Sequence, residues 1–126
     1  MTRGNMRKLR QVALAGILFV LIPLAGCRSD WIDATIDNRS GQTVRELEVD
    51  YPTASFGTNS LIPGAQMHYR FQIRGEGPVK VTFTGQDGKI FHAQGLTLSE
   101  HRHGELLIRL LPVGQVEFIP KLQPAS

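Results

Sequence analysis

The sequence predicts an all-β fold: a two-sheet antiparallel sandwich of immunoglobulin-like type, built from seven or eight short strands and preceded by a signal-peptide helix. Three observations carry that expectation. From Trp31 onward apolar and polar residues alternate in short runs, the period-two pattern of a strand with one buried face. Clusters of Gly, Pro, Asn and Asp interrupt the runs at intervals of roughly ten residues, as turns do in sandwiches and barrels. No long stretch repeats its apolar residues at helical spacing. A small barrel is the rival closure of the same strands. The Cys, Trp, Cys spacing of antibody domains is absent, so the expectation concerns architecture and not membership of that family.

Each element follows from local chemistry. Trp31 to Asp37 places Ile32, Ala34 and Ile36 on one face, and Asn38-Arg39-Ser40-Gly41 supplies a turn. Thr43 to Tyr51 is the next strand, and Val44 is out of phase with Leu47, Val49 and Tyr51, which puts a bulge near Arg45 and Glu46. The segment PTASFGTNS reads as a loop or a short edge piece. Ile62-Pro63-Gly64-Ala65 suits a type II turn, because proline presets φ and glycine accepts the positive φ that follows. Met67, Tyr69, Phe71 and Ile73 then alternate with His68, Arg70, Gln72 and Arg74; after GEGP, Val79, Val81 and Phe83 alternate with Lys80, Thr82 and Thr84. These two runs are expected to pair as a hairpin.

Gln86-Asp87-Gly88 turns the chain into Lys89 to Ala93, QGLTLS is a less regular piece, and EHRHGE is a loop. Glu105 to Leu111 points Leu106, Ile108 and Leu110 inward, Pro112 to Gln115 turns, and Val116 to Ile119 is a short last strand. PKLQPAS reads as a flexible tail, so the sandwich is expected over residues 31–119 and the tail over 120–126.

The first 26 residues have a different character. MTRGNMRKLR carries Arg3, Arg7, Lys8 and Arg10 with no acid, and an apolar run of 13 residues, Val12 to Leu24, follows at once. That is the charged start and short apolar core of a signal peptide. A bilayer-spanning helix needs about 20 residues, so a permanent transmembrane segment is not expected.

At the end of the run, Leu24-Ala25-Gly26-Cys27 resembles the lipobox of bacterial lipoproteins residue for residue. The resemblance implies cleavage between Gly26 and Cys27, a diacylglycerol on the Cys27 thiol and acylation of its new amino group. Each buried methylene contributes about 0.8 kcal/mol, and two or more chains anchor durably. By the sorting pattern of enterobacterial lipoproteins, Asp after the cysteine retains the protein at the inner membrane; Arg28 here implies the periplasmic face of the outer membrane in a Gram-negative source. Residues 27–30 are then a lipidated cysteine and a short tether. Arg28, Ser29 and Asp30 separate Cys27 from Trp31, a reach on the order of 10 Å at about 3.3–3.6 Å per extended residue. The sandwich is therefore expected to rest against the membrane, with Arg28 and Trp31 as membrane-proximal contacts, since indole favours the headgroup region. The stretch Ile36-Asp37-Asn38-Arg39-Ser40-Gly41 and the Pro63-Gly64 turn also resemble those of many small envelope lipoproteins, a likeness that implies no activity.

Removing the leader removes four basic residues, leaving 10 Lys and Arg against 11 Asp and Glu, so the precursor's net +3 becomes −1. A nucleic-acid partner is not expected of such a domain. Cys27 is the one cysteine, which excludes an intramolecular disulfide.

Two constellations merit attention. His101 and His103 share a face if the backbone is extended, and His68 or His92 would supply a third ligand for copper or zinc. Arg70 and Arg74 share a strand face with His68, and Lys80 would lie across the expected hairpin, giving a cationic face for anionic headgroups or an acidic protein partner. No G-x-S-x-G, H-E-x-x-H or phosphate loop is present, so neither a catalytic residue nor a cofactor is assigned and the chain is read as a non-enzyme. The leading expectation is a lipid-anchored envelope lipoprotein acting through protein or envelope contacts. A small metal-handling domain built on His101 and His103 is the alternative.

Overall fold

The computed structural model describes residues 30–124. The leader, with its expected helix, and Gly26, Cys27 and Arg28 lie outside the described residues. Eight strands form: β1 (Ile32–Asn38), β2 (Val44–Tyr51), β3 (Ala54–Leu61), β4 (Gln66–Phe71), β5 (Gly77–Thr84), β6 (Ile90–Leu98), β7 (Arg102–Leu110) and β8 (Val116–Pro124). They build two four-stranded sheets, β4-β1-β7-β8 (sheet 1) and β3-β2-β5-β6 (sheet 2). The fold is thus a two-sheet β-sandwich. Among the described residues a single 3₁₀ turn at Pro112–Gly114 is helical, and no helix is long and apolar enough to cross a membrane.

The two sheets stack as a sandwich, but the strand order differs from that of an immunoglobulin constant domain. In a constant domain the first, second, fourth and fifth strands share a sheet. Here β1 and β4 lie in the sheet opposite β2 and β5. All neighbours are antiparallel except β1 and β7, which run parallel from Ile32 opposite Gly104 to Asn38 opposite Leu110. A parallel pair needs a long connection, and nearly the whole domain lies between these two strands.

The core follows from alternation. Ile32, Ala34 and Ile36 of β1 and Leu106, Ile108 and Leu110 of β7 face Val49, Val79, Val81 and Phe83 of sheet 2, all buried. The bulge in β2 is present: its register against β5 shifts between Arg45 and Glu48, and Glu46 takes a φ of 49°. Ring stacking closes one flank, with Phe56 of β3 against Tyr69 of β4 at 4.3 Å and Tyr51 against Phe71 at 4.4 Å. The other flank closes by close approach: a Cβ on Gly95 of β6 would sit 2.6 Å from the Phe118 ring of β8, so only glycine lets these strands approach this closely. The expected type II turn forms, with Gly64 at φ 80° and Ala65 N donating to Ile62 O at 3.1 Å.

Four expectations are corrected. The two runs expected as a hairpin lie in different sheets: β4 pairs with β1, whereas β5 pairs with β2 and β6. The connector Gln72–Glu76 crosses between sheets, with Gly75 at φ 91° and Ile73 buried beneath it. The PTASFGTNS segment does lie at a sheet edge, but as most of an eight-residue strand, β3, and not as a loop or short piece; at an edge one partner suffices and few apolar side chains are needed. Residues 120–124, expected as a tail, continue β8 against β7 from Leu106 opposite Pro120 to Arg102 opposite Pro124. An edge strand tolerates proline because its outward N–H needs no partner. QGLTLS is also not separate: it is the second half of β6, and a register shift against Pro78 and Lys80 accounts for its irregular pattern.

Candidate functional site

The outer face of sheet 1 is built in rows. Side chains that alternate away from the core line up across neighbouring strands. One row runs Arg70 (β4), Asp33 (β1), Glu105 (β7), Lys121 (β8); the next runs His68, Thr35, Leu107, Ile119. Together with Gln66 and Arg109 they line an open trough of about 860 Å³ with Leu107 and Ile119 in its floor. Its charges are mixed. Arg70 Nε stands 3.5 Å from Asp33 Oδ1, and both side chains are exposed, so the pair contributes under about 1 kcal/mol. Arg109 Nε is buried with no hydrogen-bond partner. Thr35 Oγ1 and His68 Nδ1 are 3.0 Å apart in register. Such cross-strand pairs contribute roughly 0.2–1 kcal/mol and fix the imidazole in place.

The expected cationic face is divided by the topology. His68 and Arg70 stand together on β4, and Arg74 follows in the connector, exposed, beside Asp30, Gln72, Glu100 and His101 in a small cleft. Lys80 does not join them, because it projects from the outer face of sheet 2 opposite Gln94 and Asp50. It would have lain beside Arg70 only if β4 and β5 formed a hairpin.

Trp31 precedes β1 and is 39% exposed. Its carbonyl accepts the Gly104 N–H at 3.2 Å, and the Arg70 guanidinium lies 5.2 Å over its ring. A cation over an indole face contributes about 0.5–1 kcal/mol at an exposed site, so the ring and Arg70 hold each other at the pole where β1 begins. At the same pole Glu100 Oε1 accepts the Gly75 N–H at 2.7 Å, tying the β4–β5 connector to the β6–β7 turn.

The histidine pair does not have the geometry expected of it. His101 takes a φ of 61°, which ends the extended backbone that a shared face requires. Its Nδ1 lies 3.2 Å from Asp30 Oδ2 and its Nε2 3.8 Å from Glu100 Oε2. His103 projects from β7 opposite Gln123, and its Nδ1 is buried without a partner. His68 and His92 stand on outer faces of opposite sheets, His92 beside Thr82 Oγ1 at 3.3 Å. Among the described residues no group of three or more His, Cys, Asp or Glu side chains is placed to hold a metal ion.

One polar group that the sequence did not single out organises the opposite pole. Asn38 is fully buried. Its Nδ2 donates to Gln42 O at 2.8 Å and Leu61 O at 2.9 Å, and its Oδ1 accepts from Ser40 N at 3.1 Å and Ser40 Oγ at 2.7 Å. Its backbone donates to Ala65 O and accepts from Gly64 N, while Arg39 N donates to Leu110 O. Beside it Arg39 Nε meets the nearly buried Asp37 carboxylate at 2.7 Å. One side chain thus ties the β1–β2 turn to the β3–β4 turn. Burial, with the neighbouring Tyr69, raises the Tyr51 phenol above its ordinary value of 10.0.

No family model matches the chain, and no curated protein matches it. Among solved structures it is similar to the NMR structure of a protein from Eubacterium rectale, with 16% sequence identity and a TM-score of 0.53, over 74% of this chain and 90% of that one. At that identity the likeness concerns the fold alone.

Proposed function

We propose that the protein is a lipid-anchored envelope lipoprotein, a non-enzymatic β-sandwich that acts through protein or envelope contacts at a membrane surface. The observation that carries this reading is Leu24-Ala25-Gly26-Cys27 at the end of a 13-residue apolar run with a basic start. Two features support it. The first core strand starts at Ile32, five residues after Cys27, so the tether is short enough to keep the sandwich within about 10–20 Å of its lipid. Trp31 and Arg70 stand together at the pole where that tether enters, an aromatic and a cation of the kind that favour a headgroup layer. Arg28 after the cysteine favours the periplasmic face of the outer membrane, following the sorting pattern of the lipoproteins it resembles.

Metabolic labelling with an alkyne fatty acid tests the reading. Cells expressing the chain are expected to yield one labelled band that sediments with membranes. Cys27→Ala abolishes the label and leaves the leader uncleaved. An unlabelled parent chain, or a label that survives the substitution, refutes the proposal.

A further inference from the structure

We infer that the outer face of sheet 1, where β7 and β8 lie side by side, is the contact surface for a second copy of this chain. Alternation points Glu105, Leu107 and Arg109 of β7 and Glu117, Ile119 and Lys121 of β8 away from the core. The register aligns them in three rows: Glu105 with Lys121, Leu107 with Ile119, and Arg109 with Glu117. An aliphatic pair thus stands, half-buried, where a solvated face calls for polar residues, and a row of opposite charges flanks it on each side. The outward positions in the middle of sheet 2, Glu48, Asp50, Lys80, Thr82, His92 and Gln94, hold no aliphatic side chain. An apolar centre with a polar rim is the anatomy of a protein interface.

Charge decides the occupant. Among the described residues none of Glu105, Arg109, Glu117 and Lys121 is held in an ion pair, so all four charges are open to a partner. A two-fold axis parallel to the strands and midway between β7 and β8 sets every β7 residue of one copy over its own row partner in the other. Glu105 then lies over Lys121, Leu107 over Ile119 and Arg109 over Glu117, each contact made twice, and no like charges meet. Other placements of the axis fail. Midway between β1 and β7 it sets Asp33 over Glu105 and Arg70 over Lys121; across the strands along the Leu107 row it pairs Glu105 with Arg109 but sets Asp33 over Asp37.

A ligand of one sign, such as an anionic headgroup, meets both signs on this face, whereas a second copy supplies the opposite charge at every position. The contact is two strands wide, so it belongs to the small, reversible class. Because the axis runs along the strands, it keeps the Trp31 ends of both copies on the same side, as two anchors in one membrane require. That is a consequence of the pairing and not a premise; the contact does not rest on the lipoprotein reading.

Disulfide crosslinking between two full-length, differently tagged copies tests the inference. One copy carries Leu107→Cys and the other Ile119→Cys; they are expressed together and treated with a mild oxidant in the cells. A heterodimer carrying both tags is expected well above the parent pair, and none from Ser55→Cys with Gln94→Cys on the outer face of sheet 2. Glu105 and Lys121 are exposed, so reversing their charges leaves the fold intact. Adding Lys121→Glu to both copies is expected to lower the heterodimer about fivefold or more. Adding Glu105→Lys to one copy and Lys121→Glu to the other is expected to restore it, and since each chain then carries like charges in its own row, recovery comes only from contact between copies. The inference is overturned by absence of the heterodimer, by equal yield from the sheet 2 pair, by charge reversal without effect, or by a mixed pair that does not recover. Fatty-acid labelling is read in the same cells. A labelled chain without the heterodimer refutes the contact alone, and an unlabelled chain with it refutes the anchor alone.

Discussion

Asn38→Ala removes four hydrogen bonds at once: two donated to Gln42 O and Leu61 O, and two accepted from the Ser40 N–H and hydroxyl. A net contribution of about 0.5–1.5 kcal/mol each spans about 2–6 kcal/mol. Three of the four are only part-buried, where water replaces the lost partner, so the expected loss is about 3 kcal/mol. For a domain of this size that lowers the melting temperature by about 12–24 °C, at roughly 4–8 °C per kcal/mol. Urea denaturation of parent and variant, followed by circular dichroism, gives the difference, and an unchanged denaturant slope shows that the unfolded state is not responsible. Ser40→Ala is the comparison, since it removes only the hydroxyl bonds at the outer end of the network and is expected to cost under about 1 kcal/mol. A loss below about 1 kcal/mol for Asn38→Ala refutes the claim that this side chain fastens the turns.

Three further outcomes follow from the same reasoning. Gly95→Ala places a methyl 2.6 Å from the Phe118 ring and should destabilise by about 1–3 kcal/mol, with part of the loss recovered by adding Phe118→Leu, measured by denaturant midpoints. Tyr51 has a raised folded-state pKa, so the folded chain holds the phenol proton more tightly than the unfolded one; that contribution is intact below about pH 10 and is lost as pH rises through the folded value. The stability of the parent relative to Tyr51→Phe should therefore fall above about pH 10 and be level below it, and a difference that grows with pH contradicts the assignment. Arg39→Gln leaves the nearly buried Asp37 carboxylate without its cation and should cost about 1 kcal/mol, limited because the arginine side is open to solvent.

Alternation made the strands legible because a side-chain period of two follows directly from one buried face. It carries no information about which strand lies beside which. Met67 to Ile73 and Val79 to Phe83 look like hairpin partners by proximity, yet the crossing at Gly75 sends them to opposite sheets, and Lys80 leaves the cationic face with them. The β3 strand was legible only as a loop or a short edge piece: at an edge, Ala54, Ser55, Gly57, Asn59 and Ser60 need no apolar partner, so its full length does not show in the pattern. Pro120 and Pro124 read as breakers, although an edge strand admits both. Parallel pairing of β1 with β7 leaves no local trace. Of the candidate sites, His68 and Arg70 were placed together correctly by phase alone, while the pairing of His101 with His103 failed on one backbone angle that no spacing rule contains. Asn38 was visible as a turn residue. Its burial, which makes it structural, depends on the β3–β4 turn folding back over it.

The most direct check on the proposed anchor is the intact mass and N-terminal peptide of the protein purified from cells that express it naturally. The mature chain is expected to begin at Cys27 and to carry diacylglyceryl and amide-linked acyl mass on that residue. A mature chain that begins elsewhere, or an unmodified Cys27 thiol, contradicts it.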